Sequence, residues 1–323
     1  MSAAPLAGSP YEVGRAQGER LGATLEKSAL AWVDALSGKG LLSKRMRNEG
    51  ALEWLETLPE RWREEIIGLA DGAGGDLGLI AANQYCEKYR TAGCSSFFLR
   101  EGDGWIVARN TDASDYGPVW NYLPDRQING LNRWTLFTVQ GDIYGATGLT
   151  HSGLWLHYNY AQVVGPTEGD NLWTWLADTL ESGDNLAHVE DRLNHFPRNR
   201  AMVLFALDAK TQEAVIYECE AVEWSKRMVE APFAIGTNHF IDRQSRATKS
   251  SLGRYGRLES LLAAADNVED AKRAILDPDV AQSGKTFGTV FSAVWSSGNG
   301  RLLHATGGLP PKSDQFRQVQ RLP

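Results

Sequence analysis

Apolar residues recur every three to four positions across Tyr11–Leu36, where Leu21, Leu25, Ala29, Trp32 and Leu36 share one helical face. A basic, polar linker, Lys39–Asn48, follows. Pro59 stands at the start of a second helix, where its missing N–H costs little. Ile66, Leu69, Ala70 and Ala73 make the apolar face of that helix, and Asp71-Gly-Ala-Gly-Gly75 breaks it. Leu77–Tyr85 reads as a third helix. The N-terminal part is therefore all-helical in pattern.

From Cys94 onward strand patterns dominate. Ser95–Leu99 and Trp105–Ala108 flank Glu101-Gly-Asp-Gly104, whose Asp-Gly supplies the positive φ of a tight hairpin turn. Trp134–Val139 and Tyr144–Leu149 precede a turn at His151-Ser-Gly153, after which Leu154–Tyr160 alternates. Leu172–Leu180 and Leu186–Phe196 return to helical spacing and stop before Pro197. Met202–Leu207, Ala214–Cys219 and a short run to Ile235 read as strands, and Arg257–Ala265 as a helix. Val290–Trp295 and Leu302–Thr306 form a hairpin closed around Asn299-Gly300. Strands at both ends with helices between them imply an α+β, layered arrangement. No long internal repeat recurs, which argues against a solenoid or propeller.

Charge narrows the partners. With 33 Lys+Arg against 40 Asp+Glu the net charge is −7, so no basic excess exists to neutralise nucleic acid. No apolar run approaches the ~18 residues a membrane span needs, so no membrane is expected as a partner. Met1–Pro10 lacks the charged and apolar regions of a secretory signal. Cys86, Cys94 and Cys219 are too few for a disulfide framework and fit a reducing compartment, so a cytoplasmic location is expected.

The common catalytic motifs are missing. Gly72-Ala-Gly-Gly75 follows a helix and lacks the spacing of a phosphate cradle. The six histidines form no His-Glu-x-x-His and the cysteines no Cys-x-x-Cys, so no metal or other cofactor is expected. No Gly-x-Ser-x-Gly elbow occurs either. Cys219 lies in an alternating strand as a small hydrophobe, and Cys86 closes a helix without a motif around it. Cys94 differs: it follows Gly93 and opens the β-rich segment.

Its surroundings carry a resemblance. Ala92-Gly-Cys-Ser-Ser96, Asp103-Gly104 and Arg109-Asn-Thr-Asp112 resemble the signature of the acyl-coenzyme A:6-aminopenicillanic-acid acyltransferase family of N-terminal-nucleophile hydrolases. Further similarities lie in order along the chain. Ile67-Gly-Leu-Ala-Asp-Gly-Ala-Gly74 and Asn83 resemble the family's pro-segment, and Gly153-Leu154 with Asn159 its third strand region. Gly236-Thr-Asn-His-Phe240, then Ser251 and Arg254, resemble the next motif and the helix start after it. Thr289-Val290-Phe-Ser292 and Gly307-Gly308 resemble the closing hairpin.

The resemblance implies a four-layer αββα sandwich with a helical N-terminal pro-segment. In that family a precursor cuts itself immediately before a cysteine, which becomes the nucleophile. Carried to this chain, the cut falls between Gly93 and Cys94, leaving residues 1–93 as a small subunit and 94–323 as the catalytic segment. An N-terminal cysteine carries its own base, because its α-amino group can take the thiol proton. That fits the absence of a cysteine–histidine motif. By resemblance Asp112 orients the amine and thiol, and Asn238 donates to the oxyanion, with Asn159 a weaker candidate for the same pocket.

The implied substrate is a small N-acyl amide or acyl thioester, with water or an amine resolving the acyl-enzyme. Asp115, Tyr116, Trp120 and Tyr158 are candidate pocket residues. Two relatives of the same superfamily are the nearest alternatives, a bile-salt- or penicillin-type hydrolase and a lipid amidase. The long helical N-terminus disfavours the first. A non-catalytic binding protein with a fossil site is the alternative from another class. Nothing in the sequence decides between a monomer and a homo-oligomer.

Overall fold

A computed structural model describes residues 4–86, 92–114, 123–139, 141–161, 171–243, 246–284, 287–306 and 309–321. The chain divides into two compact units: Ala3–Arg90 with Tyr116–Gly145, and Thr91–Asp115 with Ala146–Pro323.

The first unit is mainly helical. Its α1 (Pro10–Leu21) opens on a capping box, in which Ser9 Oγ accepts from the Glu12 N–H and the Glu12 carboxylate accepts from the Ser9 N–H. The long amphipathic stretch is two helices, because Gly22 takes φ 50° and ψ −139° between α1 and α2 (Ala23–Gly38). The expected polar linker is partly helical too, leading through a π-turn at Met46–Gly50 into α3 (Ala51–Thr57). α4 (Glu60–Ala73) follows Pro59 and stops at Gly74 in the left-handed region, φ 64°. α5 (Leu77–Tyr85) is capped by Asp76, whose Oδ1 accepts from the Leu79 N–H. Periodicity does not reveal β1 (Leu6–Gly8), which has too few residues to alternate; it pairs in parallel with β4 (Asp125–Ile128), itself antiparallel to β5 (Trp134–Phe137).

α1 and α4 meet backbone to backbone. A Cβ on Gly14 would lie 2.0 Å from the Glu65 carbonyl oxygen, and one on Gly68 would lie 2.1 Å from that of Tyr11. Small residues at this crossing are a packing requirement. Beside it lies a buried ion pair, Arg126 to Glu65 at 2.5 Å, with Arg61 on the other carboxylate oxygen at 2.7 Å.

The second unit is a four-layer αββα sandwich. One sheet runs in the order β6 (Thr147–Thr150), β7 (Leu154–Tyr160), β8 (Met202–Asp208), β9 (Glu213–Cys219), β10 (Trp224–Met228). The other runs β11 (Phe233–Gly236), β2 (Ala92–Glu101), β3 (Gly104–Ser114), β12 (Phe287–Ser296), β13 (Arg301–Thr306), β14 (Arg317–Arg321). α6 (Leu172–Ser182) and α7 (Leu186–His195) cover the first sheet; α8 (Lys249–Leu262) and α9 (Val268–Ile275) cover the second. The sequence pattern starts α8 too late because its first turns are polar; Thr248 caps it by accepting from the Ser251 N–H.

Period-two alternation sorts side chains between the layers. Trp155 stacks on Trp295 with centroids 5.6 Å apart, and Phe98 packs on Phe205 at 5.1 Å, filling the space between the sheets. Phe97, Leu99, Ile106 and Ala108 face the other way, joining Leu258, Leu262, Ala271 and Ile275 of the covering helices. Among the described residues no helix is long and apolar enough to cross a membrane.

The α1–α4 crossing makes a contrast that can be measured. Gly68→Ala should lower the thermal unfolding midpoint, with an overpacking cost of about 1–3 kcal/mol. Gly256→Ala, on α8 with open space at its Cβ position, should be neutral or stabilising. Equal midpoints for Gly68→Ala and the native chain would contradict the close approach.

Candidate active site

The site is built on the pairing of β2 with β3, which sets Gly93 opposite Asp112 and Cys94 opposite Thr111. Alternation sends the Cys94 side chain toward the layer between the sheets and the Asp112 side chain toward α8 and α9. Both are fully buried.

On the inner side, Arg109 Nη2 donates to Cys94 Sγ at 3.3 Å. The guanidinium is held by acceptors on two sides: Thr111 Oγ1 at 3.0 Å, Thr147 Oγ1 at 2.7 Å, and the Ala146 carbonyl. A cation fixed in this way favours thiolate. Burial opposes it and dominates, pushing the Cys94 thiol up; Arg109 and Arg254 pull it down, while Asp112 adds to the rise. With Gly93 joined to Cys94, as in this structure, the thiol is therefore protonated at neutral pH. His157 is no base for it: burial drives its ionisation well below the ordinary histidine range, and its Nδ1 accepts from Trp155 Nε1–H at 2.7 Å.

On the backbone side, the Cys94 N–H donates to Asn238 Oδ1 at 3.0 Å. Asn238 lies two residues beyond the end of β11 and is itself fixed. Its N–H donates to Ser251 Oγ at 2.9 Å, and its Nδ2 to the Tyr160 carbonyl at 2.8 Å. Arg254 reaches from α8 to the Cys94 carbonyl, Ser95 Oγ (2.7 Å) and Asn238 Oδ1 (2.8 Å), and lies 3.8 Å from Asp112 Oδ2. Asp112 accepts from Thr289 Oγ1 at 2.6 Å and from Gln282 Nε2 at 2.5 Å. A Cβ on Gly93 would fall 2.9 Å from Asp112 Oδ2 and 2.8 Å from Gln282 Nε2, so the backbone preceding Cys94 touches the carboxylate and leaves no room for a side chain. Arg254 and Gln282 also line an open groove of about 680 Å³, together with Ser250, Arg257 and Phe287.

Gly93, Cys94, Asp112 and Asn238 thus form one cluster. Asn159 lies beside it, accepting from Ser96 Oγ at 3.1 Å and donating to the Gly236 carbonyl at 3.0 Å, where it ties β7 to β2 and β11. Tyr158 is fully buried on the opposite face of β7 from Asn159, packed edge-on against Tyr160, and does not join the cluster. Asp115, Tyr116 and Trp120 lie outside the described residues. Sequence reasoning gave no role to Arg109, Arg254, Gln282 or Thr289. Parity carried a signal for Arg109: it continues the inward-facing register of Trp105 and Val107, where a charge needs a partner.

Arg109→Met should raise the pH at which Cys94 becomes reactive, because it removes the nearest cation from the sulfur. The pH dependence of iodoacetamide labelling, followed at the Cys94 peptide by mass spectrometry, measures this. An unchanged midpoint would contradict the assignment.

Comparison with known proteins gives the family and the fold. The family described as acyl-coenzyme A:6-aminopenicillanic acid acyl-transferase matches residues 99–305, a range that holds Arg109, Asp112, Asn159, Asn238 and Arg254 and begins just after Cys94. Among solved structures, the chain is similar to a Caenorhabditis elegans N-acylethanolamine-hydrolyzing acid amidase ortholog, at 17% identity over 71% of this chain and 100% of that one, with a TM-score of 0.50. It is also similar to a conjugated bile acid hydrolase from Clostridium perfringens, at 13% identity over 70% and 92% of the two chains, with a TM-score of 0.48. The chain belongs to the acyl-coenzyme A:6-aminopenicillanic acid acyl-transferase family of N-terminal-nucleophile hydrolases and acyltransferases, enzymes acting on carbon–nitrogen amide bonds.

Proposed function

We propose that the chain is a self-processing cysteine amidohydrolase or acyltransferase that cuts between Gly93 and Cys94 and then uses the Cys94 thiol on a small N-acyl amide or acyl thioester. The observation that carries this reading is the shared environment of Cys94: Arg109 on its sulfur, Asn238 on its N–H, and Asp112 against the residue before it.

In the first step the sulfur attacks the Gly93 carbonyl carbon, the Gly93–Cys94 C–N bond breaks, and the nitrogen gains a proton to become an α-amine. Water hydrolyses the thioester, giving a Gly93 carboxylate and a free thiol. Departure of Gly93 opens the space next to Asp112, so the new ammonium form meets a carboxylate held by Thr289 and Gln282.

In each turnover the α-amine, with an ordinary pKa of roughly 7.7–8.0, takes the thiol proton as sulfur attacks the substrate carbonyl. The resulting ammonium returns that proton to the leaving amine. Asn238 Nδ2 carries two hydrogens, of which Tyr160 takes one; the other serves the developing oxyanion. Water or an amine then releases the acyl group.

Residues 1–93 stay as a small subunit after the cut. The compact unit that contains Ala3–Arg90 also includes Tyr116–Gly145, so its helices remain packed on a segment of the catalytic piece. Asn83 and Gln84 bond to Asp142 and the Gly141 carbonyl inside that unit. Three buried cysteines, too few for a disulfide framework, fit a cytoplasmic enzyme.

Purified protein should show two pieces of about 10 and about 25 kDa by intact mass, the shares of 35.6 kDa expected for average composition. Cys94→Ala should remain a single chain and be inactive on amides. A single uncut native chain that hydrolyses amides, or a cut Cys94→Ala chain, would overturn the reading.

A further inference from the structure

Glu218 lies on β9, opposite Val203 and Ser225, and its side chain is buried. Its Oε1 accepts from the Ile241 N–H at 2.5 Å, and its Oε2 accepts from the N–H groups of Asp242 at 3.0 Å and Arg243 at 3.1 Å. Consecutive backbone donors are thus gathered on one carboxylate, with no helix to present them. The segment they belong to begins at Asn238, with only His239 and Phe240 between. Glu218 is in the sheet of β6–β10 whereas Asn238 hangs from β11 of the other sheet. The clamp therefore fixes the free end of the asparagine's loop against the opposite layer.

We propose that Glu218 is a positioning residue for Asn238, its ionised carboxylate holding the backbone of residues 241–243 so that the asparagine amide stays on Cys94. This rests on the reading of Cys94 as the nucleophile. Only the carboxylate form suits the task. It accepts at both oxygens, whereas a protonated carboxyl turns one oxygen into a donor facing N–H groups. Two residues of chain transmit any shift at 241 to 238, and a misplacement of about 1 Å near reacting atoms can cost on the order of 100-fold in rate.

The surroundings set where the clamp opens. Burial pushes Glu218 up, the bonds from Ile241 and Asp242 pull it down, Asp242 pushes it up and Arg227 of β10 pulls it down; the net direction is upward. Arg227 Nε also lies 3.9 Å from Asp242. Arg243 turns its guanidinium to Glu223 at 2.7 Å and Glu220 at 3.5 Å. Burial pushes up both Tyr255 on α8 and the adjacent Cys219 thiol, with the Glu218 charge the smallest contribution to either. Three backbone N–H donors call for the carboxylate form, and the upward direction means that this form is lost on acidification earlier than for an exposed glutamate.

Hydrogen exchange tests the proposal without relying on activity. In the uncut Cys94→Ala chain, stepwise acidification down to the ordinary glutamate range, about pH 4, should remove intrinsic-rate-corrected protection from the N–H groups of 241–243. Protection at position 94 should fall with them, while the β8–β9 ladder keeps its own. Retained protection at 241–243, or loss there with position 94 unaffected, would overturn the proposal. In the processed enzyme, Glu218→Gln should lower kcat by about 10- to 100-fold with KM little changed, and should alter the acid limb of kcat/KM. Native kcat and acid limb in that variant would equally overturn it. A native enzyme without Cys94-dependent amide activity would instead defeat the functional reading and leave the exchange result standing.

Discussion

The site depends on one register: β2 against β3, with Gly93 facing Asp112 and Cys94 facing Thr111. Because neighbouring residues on a strand point to opposite faces, that register separates two tasks that a single residue must serve. The sulfur goes to the layer between the sheets, where Arg109 waits in a setting made by Thr111 and Thr147. The backbone nitrogen stays at the sheet surface, between Asn238 and the carboxylate that abuts Gly93. A slip of one residue would exchange the faces and put the thiol among Phe97, Leu99 and the helices that cover them.

The charges around this register are organised by neutral partners. Asp112 is held by a hydroxyl and an amide, with Arg254 further away at 3.8 Å. Arg109 spends its donors on Thr111, Thr147 and the Ala146 carbonyl, keeping one for sulfur. Buried ions need such complete hydrogen bonding to be tolerated, and fixed donors need no reorganisation when charge develops.

Much of this was legible in the sequence. Strand alternation from Ser95 and the Asp-Gly turn at Asp103-Gly104 located the β2–β3 hairpin, and the resemblance selected Cys94, Asp112 and Asn238. The short elements were not legible: β1 is too brief to alternate, and β4 has a buried Arg126 where an apolar residue was the only readable signal. The break at Gly22 was hidden because one residue of unusual φ leaves the apolar spacing nearly in phase. Tyr158, an aromatic beside Asn159 in sequence, lies on the other face of the same strand, as alternation requires. Arg254 was matched without a role and Gln282 escaped, because they reach the site from α8 and the segment before β12, a convergence that depends on tertiary packing.

Cys94 is proposed to be both the first residue of its chain and the nucleophile. The most direct measurement is peptide mass spectrometry of enzyme quenched in acid during turnover of an N-acyl amide. The expected product is a peptide that begins at Cys94 with a free α-amine and carries the acyl group on sulfur. A peptide in which Cys94 is still joined to Gly93 and bears no acyl group, recovered while substrate is being consumed, would contradict it.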